Sequence, residues 1–235
     1  MNTVLYPSAE RGSADYGWLK ARYSFSFSGW HHPEKVHFGA LRVLNDDIVA
    51  GGGGFPEHPH DNMEIITIPL KGALQHKDST GGSGIIREGD VQVMSAGTGI
   101  RHSEFNASAT DEINLLQVWL FPKTKNIQPR YDQKTFSADE RKNKWHVFVN
   151  GENDKDSLQI HQDAVFARTA LDAGLELEYK ARFAGNGFYL FVIDGKVTVG
   201  GKTLGRRDAI GISDVAAITV HASETAEVLL IEVPV

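Results

Sequence analysis

Apolar residues along this 235-residue chain recur mostly at every second position, in short runs closed by Gly, Asn or Asp. A period of two sends alternate side chains to opposite faces of an extended strand, whereas a helix needs a period near 3.6. Runs of this kind lie at 23–27, 38–44, 64–68, 91–94, 113–121, 146–149 and 158–161. A second series follows at 165–171, 175–181, 188–193, 196–199, 209–212, 217–221 and 228–233. Twenty-four glycines supply the turns. One short helical turn is expected, opening at Ser137 with Asp139 and Glu140 in its first turn. The pattern predicts an all-β fold.

The two series form a degenerate repeat. Leu70-Lys71-Gly72-Ala73 matches Ile193-Asp194-Gly195-Lys196, and Gly89-Asp90-Val91 matches Arg207-Asp208-Ala209. The run from Leu115 to Pro122 likewise matches that from Val228 to Pro234. Two copies of one β-barrel in tandem is the simplest reading. The copies are expected at 1–130 and 131–235, with the join in the polar stretch 126–144.

One constellation carries chemistry. His58-Pro59-His60 and His102-Ser103-Glu104 each place two ligand-type side chains at i and i+2 of a strand, hence on one face. Two neighbouring strands so equipped can converge three imidazoles and a carboxylate on one point, a donor set that suits a first-row transition metal. Counting back from Gly195, the positions matching His58 and His60 fall at Ala181 and Phe183, and His221 lands within one residue of the His102 equivalent. The second barrel is therefore expected to carry no metal and to cover the first or shape its pocket mouth.

Composition narrows the alternatives. The chain has no cysteine, which removes disulfides, thiolate metal sites, Fe–S clusters and cysteine nucleophiles. Its 24 Lys and Arg against 30 Asp and Glu leave a net charge of −6, so a nucleic-acid backbone is not the expected partner. No signal peptide and no apolar stretch of membrane-spanning length is visible, and a cytoplasmic location is expected.

The phrases around the ligands resemble a known family. His58-x-His60-x3-Glu64 before Gly72, then Gly89-Asp90 and Gly99-x2-His102-x3-Asn106, resemble the two cupin motifs. The run from Ser95 to Glu104, Gly17-Trp18-Leu19, Ser24-Phe25-Ser26-Phe27 and the run from Phe38 to Asp47 resemble pirins. The resemblance is dense over 10–131 and looser to Val235. It implies a bicupin of two jelly-roll-like barrels with a single metal in the first, held by His58, His60, His102 and Glu104. Glu64 shares a face with the two histidines if its strand stays regular; the resemblance implies that it lies behind the ligands instead.

The same resemblance implies one divalent metal ion, iron foremost, with Mn, Co, Ni, Cu or Zn as alternatives. It implies a dioxygenase that cleaves flavonols such as quercetin with O₂ and releases CO, Glu104 taking the proton of the 3-hydroxyl as the catalytic base. Planar phenolic substrates suggest aromatic lining from Phe38, Phe55 or Phe105. The competing readings are a metal-dependent regulatory protein that binds a protein partner, and a dioxygenase of another small phenolic or enol-type substrate.

Other features have blander expectations. Gly51-Gly52-Gly53-Gly54 reads as a flexible or tight approach to the metal strand, since no phosphate-loop Lys-Ser/Thr follows. Asp46-Asp47 reads as a turn. His76, His146 and His161 have no visible partner. Pro69 implies an edge position or a bulge, because proline removes a ladder donor.

Overall fold

A computed structural model describes residues 1–152 and 154–235. Its first half contains β1 (Asn2–Tyr6), β2 (Gly12–Asp15), β3 (Leu19–Tyr23), β4 (Leu41–Val49), β5 (Gly54–His60) and β6 (Glu64–Lys71). There follow β7 (Ala73–Asp78), β8 (Ser83–Arg87), β9 (Asp90–Ser95), β10 (Ile100–Asn106), β11 (Ile113–Leu120) and β12 (Arg130–Thr135). The second half contains β13 (His146–Asn150), β14 (Leu158–Gln159), β15 (Val165–Leu171), β16 (Glu176–Lys180) and β17 (Asn186–Asp194). Then come β18 (Val197–Val199), β19 (Lys202–Leu204), β20 (Ala209–Ser213), β21 (Ala217–Ala222) and β22 (Ala226–Pro234). Among the described residues helix is confined to short 3-10 turns. The one at Ala138–Arg141 opens as the sequence predicts, with the Ser137 hydroxyl accepting from the Asp139 N–H and the Glu140 carboxylate accepting from the Ser137 N–H.

The strands build two copies of one unit, each a seven-stranded sheet facing a four-stranded one. The large sheets run β12-β9-β6-β11-β4-β3-β2 and β1-β20-β17-β22-β15-β13-β14. The small ones run β5-β10-β7-β8 and β16-β21-β18-β19. Apart from the outermost pair, where β2–β3 is antiparallel and β13–β14 parallel, the orders coincide, so the repeat read from the sequence is a structural one. Turn chemistry repeats with it: Gly72 and Gly195 lie at φ 81° and 80°. The Asp90 and Asp208 carboxylates each accept, at 2.9 Å, the N–H three residues back, of Arg87 and Gly205. Each unit is an open jelly-roll sandwich rather than a closed barrel. The sheets also trade strands across the expected division at 130: β1 pairs with β20 of the second unit, while β12 stays on β9 of the first.

Strand parity decides where the apolar faces go. Leu44, Ile66, Ile68, Val91, Val93, Leu116 and Val118 of the first large sheet join Tyr189, Phe191, Leu229, Ile231 and Val233 of the second in the principal hydrophobic cluster. The large sheets therefore pack back to back, giving four layers. The rings of Tyr6 and Phe25 stand 5.2 and 5.5 Å from that of Tyr189, and Phe38 packs on the same ring at 5.8 Å. Strands such as β17, buried on both faces, read as continuous apolar runs for this reason.

The opposite faces differ between the units. Through the ladders, Asn45, His58, Thr67, His76, Gln92, His102, Glu104 and Gln117 of the first unit occupy the places of Ala167, Tyr179, Leu190, Val199, Ile210, Ile218, Val220 and Leu230 of the second. The second set lies entirely in one buried apolar cluster. This corrects the offset count along the sequence, because His58, His60 and His102 correspond to Tyr179, Ala181 and Ile218, while His221 stands in the place of Phe105. Pro69 lies on β6 beyond the stretch paired with β9, beside a register shift against β11.

Because the main core is shared, neither unit is expected to melt alone. Phe25→Ala, which empties a site in that core, should lower stability by roughly 3–5 kcal/mol. Circular dichroism and tryptophan fluorescence should report one coincident transition; two separated ones would contradict the shared core.

Candidate metal centre

β10 is the middle strand of three that carry the site. It pairs with β5 on one side and β7 on the other, setting His102 opposite both His58 and Asp78, and Glu104 opposite Phe55 and His76. The β5 register shifts between these pairs, so one extra residue of β5 stands against β10. Such a bulge re-aims side chains, and it brings Phe55 and His58, three apart in sequence, to one cavity. Gly54 sits where a Cβ would lie 2.5 Å from the Glu104 carbonyl oxygen. The glycine run is thus the close approach expected of it.

Three imidazoles converge. The His58 ring lies 4.9 Å from that of His60 and 4.4 Å from that of His102, and His60 and His102 are 4.9 Å apart. One nitrogen from each falls within 4.8 Å of the others, the arrangement required to share an ion. His58 Nδ1 lies 2.8 Å from the Pro56 carbonyl oxygen, so it is the protonated nitrogen and Nε2 keeps its lone pair free. His60 Nε2 and both nitrogens of His102 are buried without a hydrogen-bond partner among the described residues. Buried lone pairs left unmatched in this way fit a metal ion.

Burial keeps the His60 and His102 rings neutral. Burial, followed by the neighbouring His58, pushes His60 down to about 4. Burial, then His58, His60 and His76, pushes His102 down to about 2. Neutral imidazole is the ligating form.

Glu104 belongs to a second grouping, with His76 and His102. Burial raises its carboxyl to about 7, opposed by donors at both oxygens: Gln117 Nε2 at 2.9 Å and the Thr67 hydroxyl at 3.3 Å. His76, which the sequence left without a partner, is buried between Asp78 Oδ2 at 2.9 Å and the stacked ring of Tyr131 at 4.6 Å. No period-two apolar signal marks β7, whose alternate positions include His76 and Asp78. His102 therefore joins an outer trio, His58 and His60 with itself, to an inner pair, His76 and Glu104.

A cavity of about 360 Å³ opens beside this cluster, lined by Phe27, Asn45, Asp47, Phe55, Pro56, His58, Glu104, Gln117 and Trp119. Of the aromatic residues expected there only Phe55 is present. Phe38 belongs to the shared core and Phe105 points to solvent, while Phe27 and Trp119 take their places. Asp46-Asp47 is not a turn but lies inside β4, so its two carboxylates face opposite ways. Asp47 faces the cavity, and burial, with Asp46 and Glu104 nearby, raises its carboxyl well above the usual range.

Glu64 does not share a face with the histidines. The chain turns at Asn62, at φ 45°, and β6 belongs to the other sheet. By parity Glu64 faces the second unit, whose His161 Nδ1 lies at 3.8 Å, and the hydroxyl of Ser95, its neighbour on β9, donates to it at 2.8 Å. His161 thus has partners that lie far from it in sequence. Metal content by mass spectrometry should drop to background in His102→Ala and stay at one equivalent in Glu64→Gln. The reverse pattern would mean that the carboxylate has been misassigned.

Comparison with known proteins follows the same division. Residues 6–120 match the pirin family model, and residues 147–233 match that of the quercetinase C-terminal cupin domain. The chain is 40% identical over 225 residues to quercetin 2,3-dioxygenase of Escherichia coli K12, covering 96% of both. It is 42% identical over 227 residues to a pirin-like protein of Caulobacter vibrioides, covering 96% of this chain and 97% of that one. Among solved structures, YhhW of Escherichia coli superposes with a TM-score of 0.94 at 38% identity, covering 100% of this chain and 99% of the other. A second structure of bacterial pirin YhhW, in complex with nickel(II), gives 0.93 at 37% identity over 99% of each chain. Sequence, fold and the clustered imidazoles agree: the chain belongs to the pirin family.

Proposed function

We propose that this protein is a metal-dependent dioxygenase that opens flavonols such as quercetin with O₂ and releases CO. The observation that carries the reading is a single cavity lined by His58 and Glu104 together with three aromatic side chains. Its volume, about 360 Å³, lies in the range of about 300–1,000 Å³ typical of small-molecule sites. An open cavity of this kind favours a small substrate over a purely protein-binding role.

The ligands in this reading are His58, His60, His102 and Glu104, a set that accepts Fe, Mn, Co, Ni, Cu or Zn, with iron foremost on the family resemblance. The bound ion would supply Lewis-acid and redox activation. The chain's own residues do the rest. Phe27, Phe55 and Trp119 offer ring faces and edges to a planar polycycle and keep water from it. Glu104 accepts the proton of the 3-hydroxyl at a carboxylate oxygen. Gln117 and Thr67 hold that carboxylate in one orientation, so no reorganisation is needed when charge develops.

Protein loaded anaerobically with each metal, given quercetin and then O₂, should release CO as the flavonol absorbance falls. Absence of turnover with every metal, from protein that binds one equivalent, would overturn the assignment. Phe55→Ala removes a stacking face and should raise KM for quercetin roughly 2–10-fold with a smaller change in kcat, the worth of one aromatic contact.

A further inference from the structure

A large cleft lies away from the imidazoles, at an edge of the interface between the two units. It has a volume of about 540 Å³ and is lined by Ser8, Ala9, Arg11, Arg22, Asp46, Ile48, Asn114, Arg206 and Arg207. Four guanidinium groups thus meet one carboxylate in a chain that is acidic overall, with a net charge of −6. Both units contribute: Arg22 comes from β3, Asp46 from β4 and Asn114 from β11, while Arg206 and Arg207 come from the turn between β19 and β20.

Arg11 is the informative member. It is only 8% exposed, its guanidinium lies 4.4 Å over the Phe191 ring, and all three of its side-chain nitrogens lack a hydrogen-bond partner among the described residues. A buried guanidinium with five donors unmatched is costly unless an acceptor reaches it. Arg207 is held beside it: Nε lies 3.3 Å from Asp46 Oδ2 and Nη2 donates to Asn114 Oδ1 at 3.0 Å, while Nη1 is buried without a partner. Arg206 and Arg22 stand at the exposed rim, where Arg206 meets the surface carboxylate of Asp194 at 3.3 Å. Nearby Asp208 spends its carboxylate on the N–H groups of Ser8 and Gly205.

From this we infer that the cleft between the units binds a small organic polyanion, a molecule with two or more phosphate or carboxylate groups. Guanidinium forks match the oxygens of both groups bidentately. The volume exceeds that of a single inorganic anion, and the spread of the four arginines from floor to rim suits charges at more than one point. The site is separate from the metal cluster and its existence does not depend on flavonol chemistry.

Isothermal titration of metal-loaded protein with inorganic pyrophosphate and with succinate, at low ionic strength, tests this. One equivalent of at least one probe should bind, more weakly as salt is raised, and the tighter of the two identifies phosphate or carboxylate as the preferred group. Arg207→Gly should weaken binding roughly tenfold or more, the loss of a charge-assisted hydrogen bond. That substitution suits the backbone, because Arg207 sits at φ 68° in the place of Gly89 of the first unit. The exposed pair Arg22→Ala/Arg206→Ala should also weaken binding, whereas Asp46→Asn should tighten it by removing the competing carboxylate. Failure of both probes to bind would overturn the inference. So would binding indifferent to these variants, or binding that vanishes when the metal is removed but not when the arginines are.

Discussion

The back-to-back packing of the two large sheets is the constraint on which the rest of the molecule depends. One face of each central strand is committed to the shared cluster, from Leu44, Ile66 and Leu116 on one side to Tyr189, Phe191 and Leu229 on the other. Each such side chain contributes about 1.5–3 kcal/mol when fully buried. That common core leaves the opposite face of the first large sheet free to carry Asn45, Asp47, Thr67, Gln92 and Gln117, none of which supports a core by itself. A single sandwich of this size lined with so many polar groups would have little apolar area to stabilise it.

The second unit shows what the first gives up. At the positions where the first holds imidazoles, amides, the Thr67 hydroxyl and the Glu104 carboxylate, the second holds Tyr179, Leu190, Val199, Ile210, Ile218, Val220 and Leu230 in a continuous apolar cluster. Its buried carboxylate Glu232 accepts from the Tyr179 hydroxyl at 2.9 Å and from the N–H groups of Arg182 and Phe183, so it is matched within its own unit. The first unit leaves nitrogens of His60 and His102 unmatched instead. One topology thus serves as a rigid backing in one copy and as a site in the other, and the difference lies in the side chains of one face.

The interface that backs the sheets also shapes the outlying polar groups. Even-numbered residues of β4 and β6 point across it, which carries Glu64 to His161 at one place and Asp46 to Arg207 at another. Odd-numbered neighbours such as Asn45, Asp47 and Thr67 point into the first sandwich. Asp46 and Asp47 therefore serve two different sites though they are adjacent in sequence.

By itself the sequence determined the all-β class, the tandem repeat and the placing of His58 with His60, and of His102 with Glu104, on one face of a strand, because period-two alternation and the i, i+2 spacing are local properties of a strand. It also determined the cap at Ser137 and the bulge beside Pro69, both local backbone chemistry. It missed β7 and β8, the partners of His76, the cavity lining by Phe27 and Trp119, and the true equivalents of the ligands in the second unit. Each of those depends on which strand lies beside which, and on a bulge or chain turn that shifts register by a residue. Only the tertiary structure decided them, because a one-residue slip or a change of sheet reverses every facing side chain and leaves the local pattern unchanged.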